Sequence, residues 1–203
     1  MNKKELFEFY NDFQLDSYIS SSRLKFIPIT ASIIKKYIDD LWEYSSDSEF
    51  YKYLEYDCFN SKEECLDYFS KLLKVNKDMD GMLWIIVLKK EDKAIGTVRL
   101  AYWDLNRKNV QVGYGIAPNF SRKGYFTEAL YCLTRFAFEK LNFFRIESWT
   151  RSDNIGSIKG LEKLGFQYEG KLRKNNLNFD GTRHDVVIYS FLQSDSFFNI
   201  KTN

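Results

Sequence analysis

Apolar positions follow a helical rhythm in the first third of the chain and a strand rhythm after it. Leu6, Phe9, Tyr10 and Phe13 recur at helical spacing and predict a short amphipathic helix within residues 1–22. Leu24, Phe26 and Ile27-Pro28-Ile29 read as a first strand. Thr30 is placed to cap a helix whose inner face carries Ile33, Ile34, Tyr37, Ile38, Leu41 and Trp42. Ser61, with Glu64 three residues on, forms a capping-box pattern. It opens a second helix with Cys65, Leu66, Phe69, Leu72 and Leu73 inward.

From Leu83 the texture changes. Leu83-Trp84-Ile85-Ile86-Val87-Leu88 is an apolar run of strand length, and Ala94 to Trp103 returns across the polar turn Glu91-Asp92-Lys93 as a hairpin. Val110, Val112, Tyr114 and Ile116 alternate with Gln111, Gly113 and Gly115, which predicts a third strand. Its two glycines predict a bulge or a close approach by another backbone or a ligand. Pro118 ends that strand, and a loop from Asn119 leads through Gly124 into a long helix. The helix stripe is Phe126, Ala129, Leu130, Leu133, Phe136, Ala137 and Leu141. Ile146, Ser148 and Thr150 begin another strand, and Asn154 caps a final helix with Ile155, Ile158, Leu161 and Leu164 inward. Gly165 and Phe166 fit a Schellman stop. Strands at about Phe166–Leu172 and Asp185–Leu192 close the chain around an Asp180-Gly181 turn. Helices interleaved with strands in this order predict an α/β (α+β) fold, a mixed sheet with helices on both faces. No repeat or linker divides the chain. The expected organisation is one domain over 23–195, an N-terminal helical extension over 1–22 and a tail over 196–203.

Composition narrows the classes. A length of 203 residues suits one domain. Thirty basic against 28 acidic residues leave a net charge of +2, which argues against a nucleic-acid surface. An aromatic share of 18% supplies a core and excludes the disordered class. No apolar window reaches the length of a membrane helix. Met1-Asn2-Lys3-Lys4 is followed by Glu5, Glu8 and Asp12 instead of the apolar run of a signal peptide, so the expected location is cytoplasmic. Cys58, Cys65 and Cys132 form no C-x-x-C pair and read as free thiols, and His184 is the single histidine. Zinc and Cys-His or Ser-His chemistry are therefore poorly served, and no metal is expected.

The unit from Val110 to Leu141 is where chemistry is best placed. A loop feeding a helix N-terminus offers orphan N–H groups and the positive end of the helix dipole, which together favour phosphate. Arg122 and Lys123 add positive charge at the rim, and Gly124 lets the backbone come close. No Walker or Rossmann glycine pattern is present.

Gln111-Val112-Gly113-Tyr114-Gly115-Ile116-Ala117-Pro118, followed by Ser121-Arg122-Lys123-Gly124-Tyr125-Phe126-Thr127-Glu128-Ala129-Leu130, resembles the acyl-CoA-binding motif of the GNAT superfamily of N-acetyltransferases. The K-G-Y-x-T-E-A run resembles its ribosomal-protein N-terminal acetyltransferase (Rim-type) branch. A second block agrees: Arg145-Ile146-Glu147, then Asn154, Ser157 and Glu162-Lys163-Leu164-Gly165-Phe166, with Asp185-Val186-Val187-Ile188-Tyr189 matching the last strand. The resemblance implies a mostly antiparallel sheet of about seven strands, with a V-shaped splay between the strand at Val112 and the strand at Ile146. It implies acetyl-CoA in that splay and no metal. The pyrophosphate would lie on the amides of Arg122, Lys123, Gly124, Tyr125, Phe126 and Thr127. The pantetheine arm would lie against Ile116 and Ala117, with Asn154 and Ser157 near its reactive end. The helices between residues 31 and 75, with Tyr114 and Gln111, would wall the acceptor amine.

The implied reaction is direct attack of a primary amine on the thioester, through a tetrahedral intermediate, giving amide and CoA thiol. The branch points to a protein N-terminal α-amine. A small amine (antibiotic or polyamine) and a non-catalytic acetyl-CoA-binding module are the alternatives. A monomer or homodimer is expected, without nucleic acid or membrane. Four positions depart from the family pattern. Ser121 replaces the usual Gln or Arg, and Phe126 replaces a small residue. Gln111 stands where the branch often has Glu, and an amide cannot titrate as a base. Leu161 stands where many members carry an acid Tyr. That leaves the Ser157 hydroxyl near the thiol, and Glu55, Glu147 or Asp104 as sources of a carboxylate.

Overall fold

A computed structural model describes residue 5, residues 19–77 and residues 81–196. Leu6, Phe9, Tyr10 and Phe13 of the helix expected within 1–22 lie outside the described residues, as does nearly all of the tail over 196–203. The described chain runs β1 (Leu24–Pro28), α1 (Ala31–Ser45), α2 (Ser48–Tyr51), α3 (Lys62–Lys77), β2 (Gly81–Leu88), β3 (Lys93–Asp104) and β4 (Asn109–Ile116). A short 3₁₀ turn at Pro118–Phe120 follows, then α4 (Tyr125–Glu139), β5 (Arg145–Arg151), α5 (Ile155–Leu164), β6 (Gln167–Leu177) and β7 (Arg183–Leu192).

The strands form one seven-stranded sheet in the order β1-β2-β3-β4-β5-β7-β6. Only β4 and β5 run parallel. Their ladder holds three pairs, Asn109↔Arg145, Val110↔Ile146 and Gln111↔Glu147, and then stops. Beyond Gln111 the two strands go separate ways, which is the expected splay.

Each face of the sheet has its own core. On one side, Trp84, Ile86, Val98, Val110, Val112, Ile146 and Phe191 pack against α4 and α5. On the other, Leu83, Ile85 and Val87 meet Ile34, Tyr37 and Leu41 of α1 and Cys65 and Phe69 of α3. β2 is thus buried on both faces, which is why its sequence is a continuous apolar run with no alternation. Trp84 is fully buried and stands edge-on to Phe136 of α4, ring centres 5.8 Å apart.

The local signals for helix ends are met. Thr30 Oγ1 accepts from the Ile33 N–H at 3.2 Å, and Ser61 Oγ from the Glu64 N–H at 3.1 Å. Asn154 Oδ1 accepts from the Ser157 N–H at 3.1 Å. Gly165 turns left-handed at φ 101°, and the Phe166 N–H reaches Leu161 O at 3.1 Å, closing the Schellman motif. Three details differ from expectation. The short helix α2 has too few residues to show a period. Leu66 is 40% exposed, because the inner stripe of α3 runs through Cys65 and Phe69. β6 and β7 reach further than expected, to Leu177↔Arg183, since their outer half pairs backbone without burying apolar side chains.

Candidate active site

Along β4 the side chains sort by face. Val110, Val112, Tyr114 and Ile116 belong to the α4–α5 side, and Gln111, Gly113 and Gly115 to the opposite side. The Tyr114 ring therefore turns towards α4 and α5. Its hydroxyl meets Ser157 Oγ of α5 at 2.5 Å and Ser148 Oγ of β5 at 3.2 Å. One phenol thus spans the splay from β4 to both elements of the far wall. Burial raises its pKa above that of a free tyrosine, and the bonds to Ser148 and Ser157 pull it partly back. Tyr114 was expected to wall the acceptor. Its hydroxyl lies on the face that carries Ser157.

At the mouth of the splay stands the N-terminus of α4. α1, α3 and α5 are each capped by a side chain, from Thr30, Ser61 and Asn154. α4 begins at Gly124, which has no side chain to give. Its first intrahelical bond runs from the Glu128 N–H to Gly124 O at 3.1 Å, so the N–H groups of Tyr125, Phe126 and Thr127 precede the ladder. Gly124 is left-handed at φ 81°, and Arg122 is left-handed at φ 61°, which curls the loop around these amides. A helix end with no internal cap, next to Arg122 and Lys123, suits an anion.

Arg23, which sequence reasoning missed, braces this loop from the start of β1. Its Nε donates to Glu128 Oε2 at 2.6 Å and its Nη1 to Lys123 O at 3.1 Å. The guanidinium lies over the Tyr125 ring, 4.4 Å from its centre. No local pattern reveals this brace, because its ends are a hundred residues apart.

Phe126, the bulky departure, is accommodated sideways. Its ring lies 4.5 Å from that of Tyr114 and fills the space over Gly160. A Cβ on Gly160 would sit 2.1 Å from Phe126 Cε1. The large residue on α4 and the missing side chain on α5 form a matched pair.

On the opposite face the glycines make room for side chains. Phe50 of α2 lies against Gly115, and the stem of Arg99 from β3 lies across Gly113. Gln111 stands in register with Glu147 at the last β4–β5 pair. Glu147 accepts from Arg145 Nε at 2.9 Å and from Trp149 Nε1 at 3.1 Å. Glu55, in the turn after α2, bonds to Asn176 of β6 and lies 3.9 Å from His184 Nε2. That contact carries the segment after α2 across to the β6–β7 hairpin. His184 is buried, and its Nδ1 pairs with Asn178 Oδ1 at 2.7 Å. Burial and the nearby Arg151 lower its pKa, which keeps the imidazole neutral at pH 7. Asp104 is remote in role: it accepts from two backbone N–H groups of its own turn. The thiols do not suit nucleophilic work, since burial pushes Cys65 and Cys132 up to about 11. Among the described residues no group of metal-ligating side chains comes together.

The model of the acetyltransferase (GNAT) domain matches residues 23–167. The chain belongs to the GNAT family of acetyltransferases. An uncharacterised N-acetyltransferase, p20, of Bacillus licheniformis is 31% identical over 157 residues, which cover 77% of this chain and 88% of that protein. A putative ribosomal N-acetyltransferase, YdaF, of Bacillus subtilis is 35% identical over 100 residues, 49% of this chain and 54% of that one. The crystal structure of the microcin C7 self-immunity acetyltransferase MccE, in complex with acetyl-CoA and AMP, superposes with a TM-score of 0.77 at 22% identity. That match covers 87% of this chain and 99% of MccE. The GNAT fold implied by the motifs is the fold observed, and the protein is an acetyl-CoA-dependent N-acetyltransferase. Among the described residues no helix is long and apolar enough to cross a membrane.

Proposed function

We propose that this acetyltransferase acylates the α-amine of a protein N-terminus, acting in the cytoplasm through one domain over residues 23–195. The observation that carries the site assignment is the uncapped N-terminus of α4 beside a β4–β5 ladder that ends at Gln111↔Glu147. The Rim-type motif and the similarity to a putative ribosomal N-acetyltransferase favour a peptide acceptor over an antibiotic or polyamine. Three free cysteines suit a reducing compartment.

The residues fit acetyl-CoA. The amides of Arg122, Lys123, Gly124, Tyr125, Phe126 and Thr127 would hold the pyrophosphate, with Arg23 fixing their loop. The backbone of Ile116 and Ala117 would lie along the pantetheine arm, and Asn154 would fix the first turn of α5 beside it. When bound, the thioester supplies an activated acetyl carbonyl. The acceptor amine approaches from the Gln111 side. Gln111 cannot take its proton, but the Glu147 carboxylate stands beside it in register. Glu147, ion-paired with Arg145, receives the proton directly or through water. On the other face the linked hydroxyls of Tyr114 and Ser157 hold the proton for a departing thiolate. Tyr114 thereby supplies the phenol that Leu161 does not.

A thermal-shift titration with acetyl-CoA tests cofactor binding. Ligand at 100 times its dissociation constant adds about 2.7 kcal/mol, or roughly 5–11 °C for a chain of this size. Mass spectrometry of peptides with free and blocked N-termini, against spermidine and an aminoglycoside, tests the acceptor. A mass gain of one acetyl on the free N-terminus alone supports the reading. Faster acetylation of spermidine or the aminoglycoside overturns the peptide reading, and no shift at millimolar acetyl-CoA overturns the site.

A further inference from the structure

The acceptor face is crowded with charge, and nearly all of it is engaged. Arg145 is bound by Glu147 and Glu169, and Arg151 by Asp153 and Asn178. Glu55 pairs with Asn176. Arg99 is the exception: among the described residues its guanidinium makes no hydrogen bond and no ion pair. It projects from a central strand in register with Gly113, the next same-face residue after Gln111. Gly113 is what lets it lie there, since a Cβ at that position would come within 2.6 Å of Arg99 Nε. The guanidinium charge is also felt by the hydroxyl of Tyr56, in the segment that arches over this face.

We infer that the acceptor carries a carboxylate close to its reacting amine, and that Arg99 receives it. The distances set how close. Arg99 and Gly113 stand two residues, or about 7 Å, along the strands from the pair at Gln111, where the ladder ends. An extended peptide covers that span in about two residues. The carboxylate is therefore that of Asp or Glu at the first or second position of a protein N-terminus. The α-carboxylate of a free amino acid is the other source of the same chemistry. A free guanidinium reads a carboxylate with two parallel hydrogen bonds, which a lysine cannot do. This inference rests on the acceptor reading proposed above.

The test is a set of peptides with free N-termini and amidated C-termini, differing only as Asp against Asn or Glu against Gln at positions one and two, plus free aspartate and asparagine. For the wild type, kcat/KM for an acidic peptide should exceed that for its amide by about tenfold or more, chiefly through KM. Arg99→Gln should bring that ratio close to one, Arg99→Lys should leave a weakened preference, and Arg99→Glu should turn it towards Lys-bearing peptides. Arg99 is exposed, so these variants keep the fold. Acetylation of acidic and amide peptides at equal rates, or a preference that survives Arg99→Gln, overturns this inference and leaves the N-terminal reading standing. Free aspartate outrunning every peptide keeps the role of Arg99 and overturns the protein acceptor. Acetylation of none of them overturns both.

Discussion

Tyr114 of β4 and Ser157 of α5 share a hydrogen bond of 2.5 Å across the splay, and Ser148 of β5 joins the same hydroxyl at 3.2 Å. Tyr114→Phe removes the phenol and leaves two serine hydroxyls to re-pair, at a stability cost of about 1 kcal/mol. If the phenol holds the proton for the thiolate, kcat should fall by about 10²-fold or more, with the KM for acetyl-CoA little changed. Steady-state kinetics of the folded variant decides this. Because burial raises the Tyr114 pKa, activity in the wild type should persist to alkaline pH without a falling limb below 10 from this group.

Gly124 opens α4 at φ 81°, a value closed to proline. Gly124→Pro should abolish the acetyl-CoA-dependent thermal shift. Gly124→Ala should be milder, at about 1–2 kcal/mol of strain, because its Cβ would meet only Arg23 at 3.4 Å. Calorimetric titration of both variants gives the ranking. Equal binding by Gly124→Pro and wild type would remove the loop from the cofactor site.

Phe126 and Gly160 are complementary, so their substitutions should not add. Gly160→Ala sets a Cβ 2.1 Å from the Phe126 ring and should destabilise by about 1–3 kcal/mol. Phe126→Ala in the same chain should return part of that loss. A double-mutant cycle in urea reads the coupling, and a coupling near zero would mean the two helices shift apart freely.

Arg145 joins Glu169 of β6 to Glu147 of β5. The Arg145 guanidinium holds the Glu169 carboxyl down to about 2, with help from Ser190. A depressed carboxylate contributes stability that is complete above its ordinary pKa of 4.5 and drains away as pH falls towards 2. Glu169→Gln should flatten the acid side of the stability profile in that window and leave the neutral side nearly parallel. Denaturation at pH 6, 4 and 3 checks it. High salt should shrink the difference, because the Glu169 side chain is 40% exposed.

The sequence exposed whatever is local. Thr30, Ser61, Asn154 and Gly165 mark helix ends through bonds that span three to five residues, and each is found in place. The glycines of β4 announced a bulge or a close approach by a backbone or a ligand, and the side chains of Phe50 and Arg99 fill that space instead. The motif run from Gln111 to Leu130 marked the loop and the helix whose N-terminus is found without a side-chain cap. Contacts set by tertiary packing were not legible. Nothing near Arg23 in the chain points to Glu128, and nothing near Gly160 points to Phe126. Tyr114 alternates with Val110, Val112 and Ile116 along β4, and its ring is found with theirs on the α4–α5 side.

The shortness of the β4–β5 ladder has a further consequence. Past Gln111 and Glu147 the sheet carries two strand edges that face each other inside the molecule. An outer edge invites any passing strand to pair with it, and proteins blunt such edges with charge, proline or a covering helix. Here divergence does that work, because a flat strand cannot satisfy two edges that separate as they run. Only a slender chain with a few amide groups can bond to one edge and slip past the other. The angle proposed above to take the pantetheine arm would thereby also keep the protein from pairing with copies of itself at its own centre.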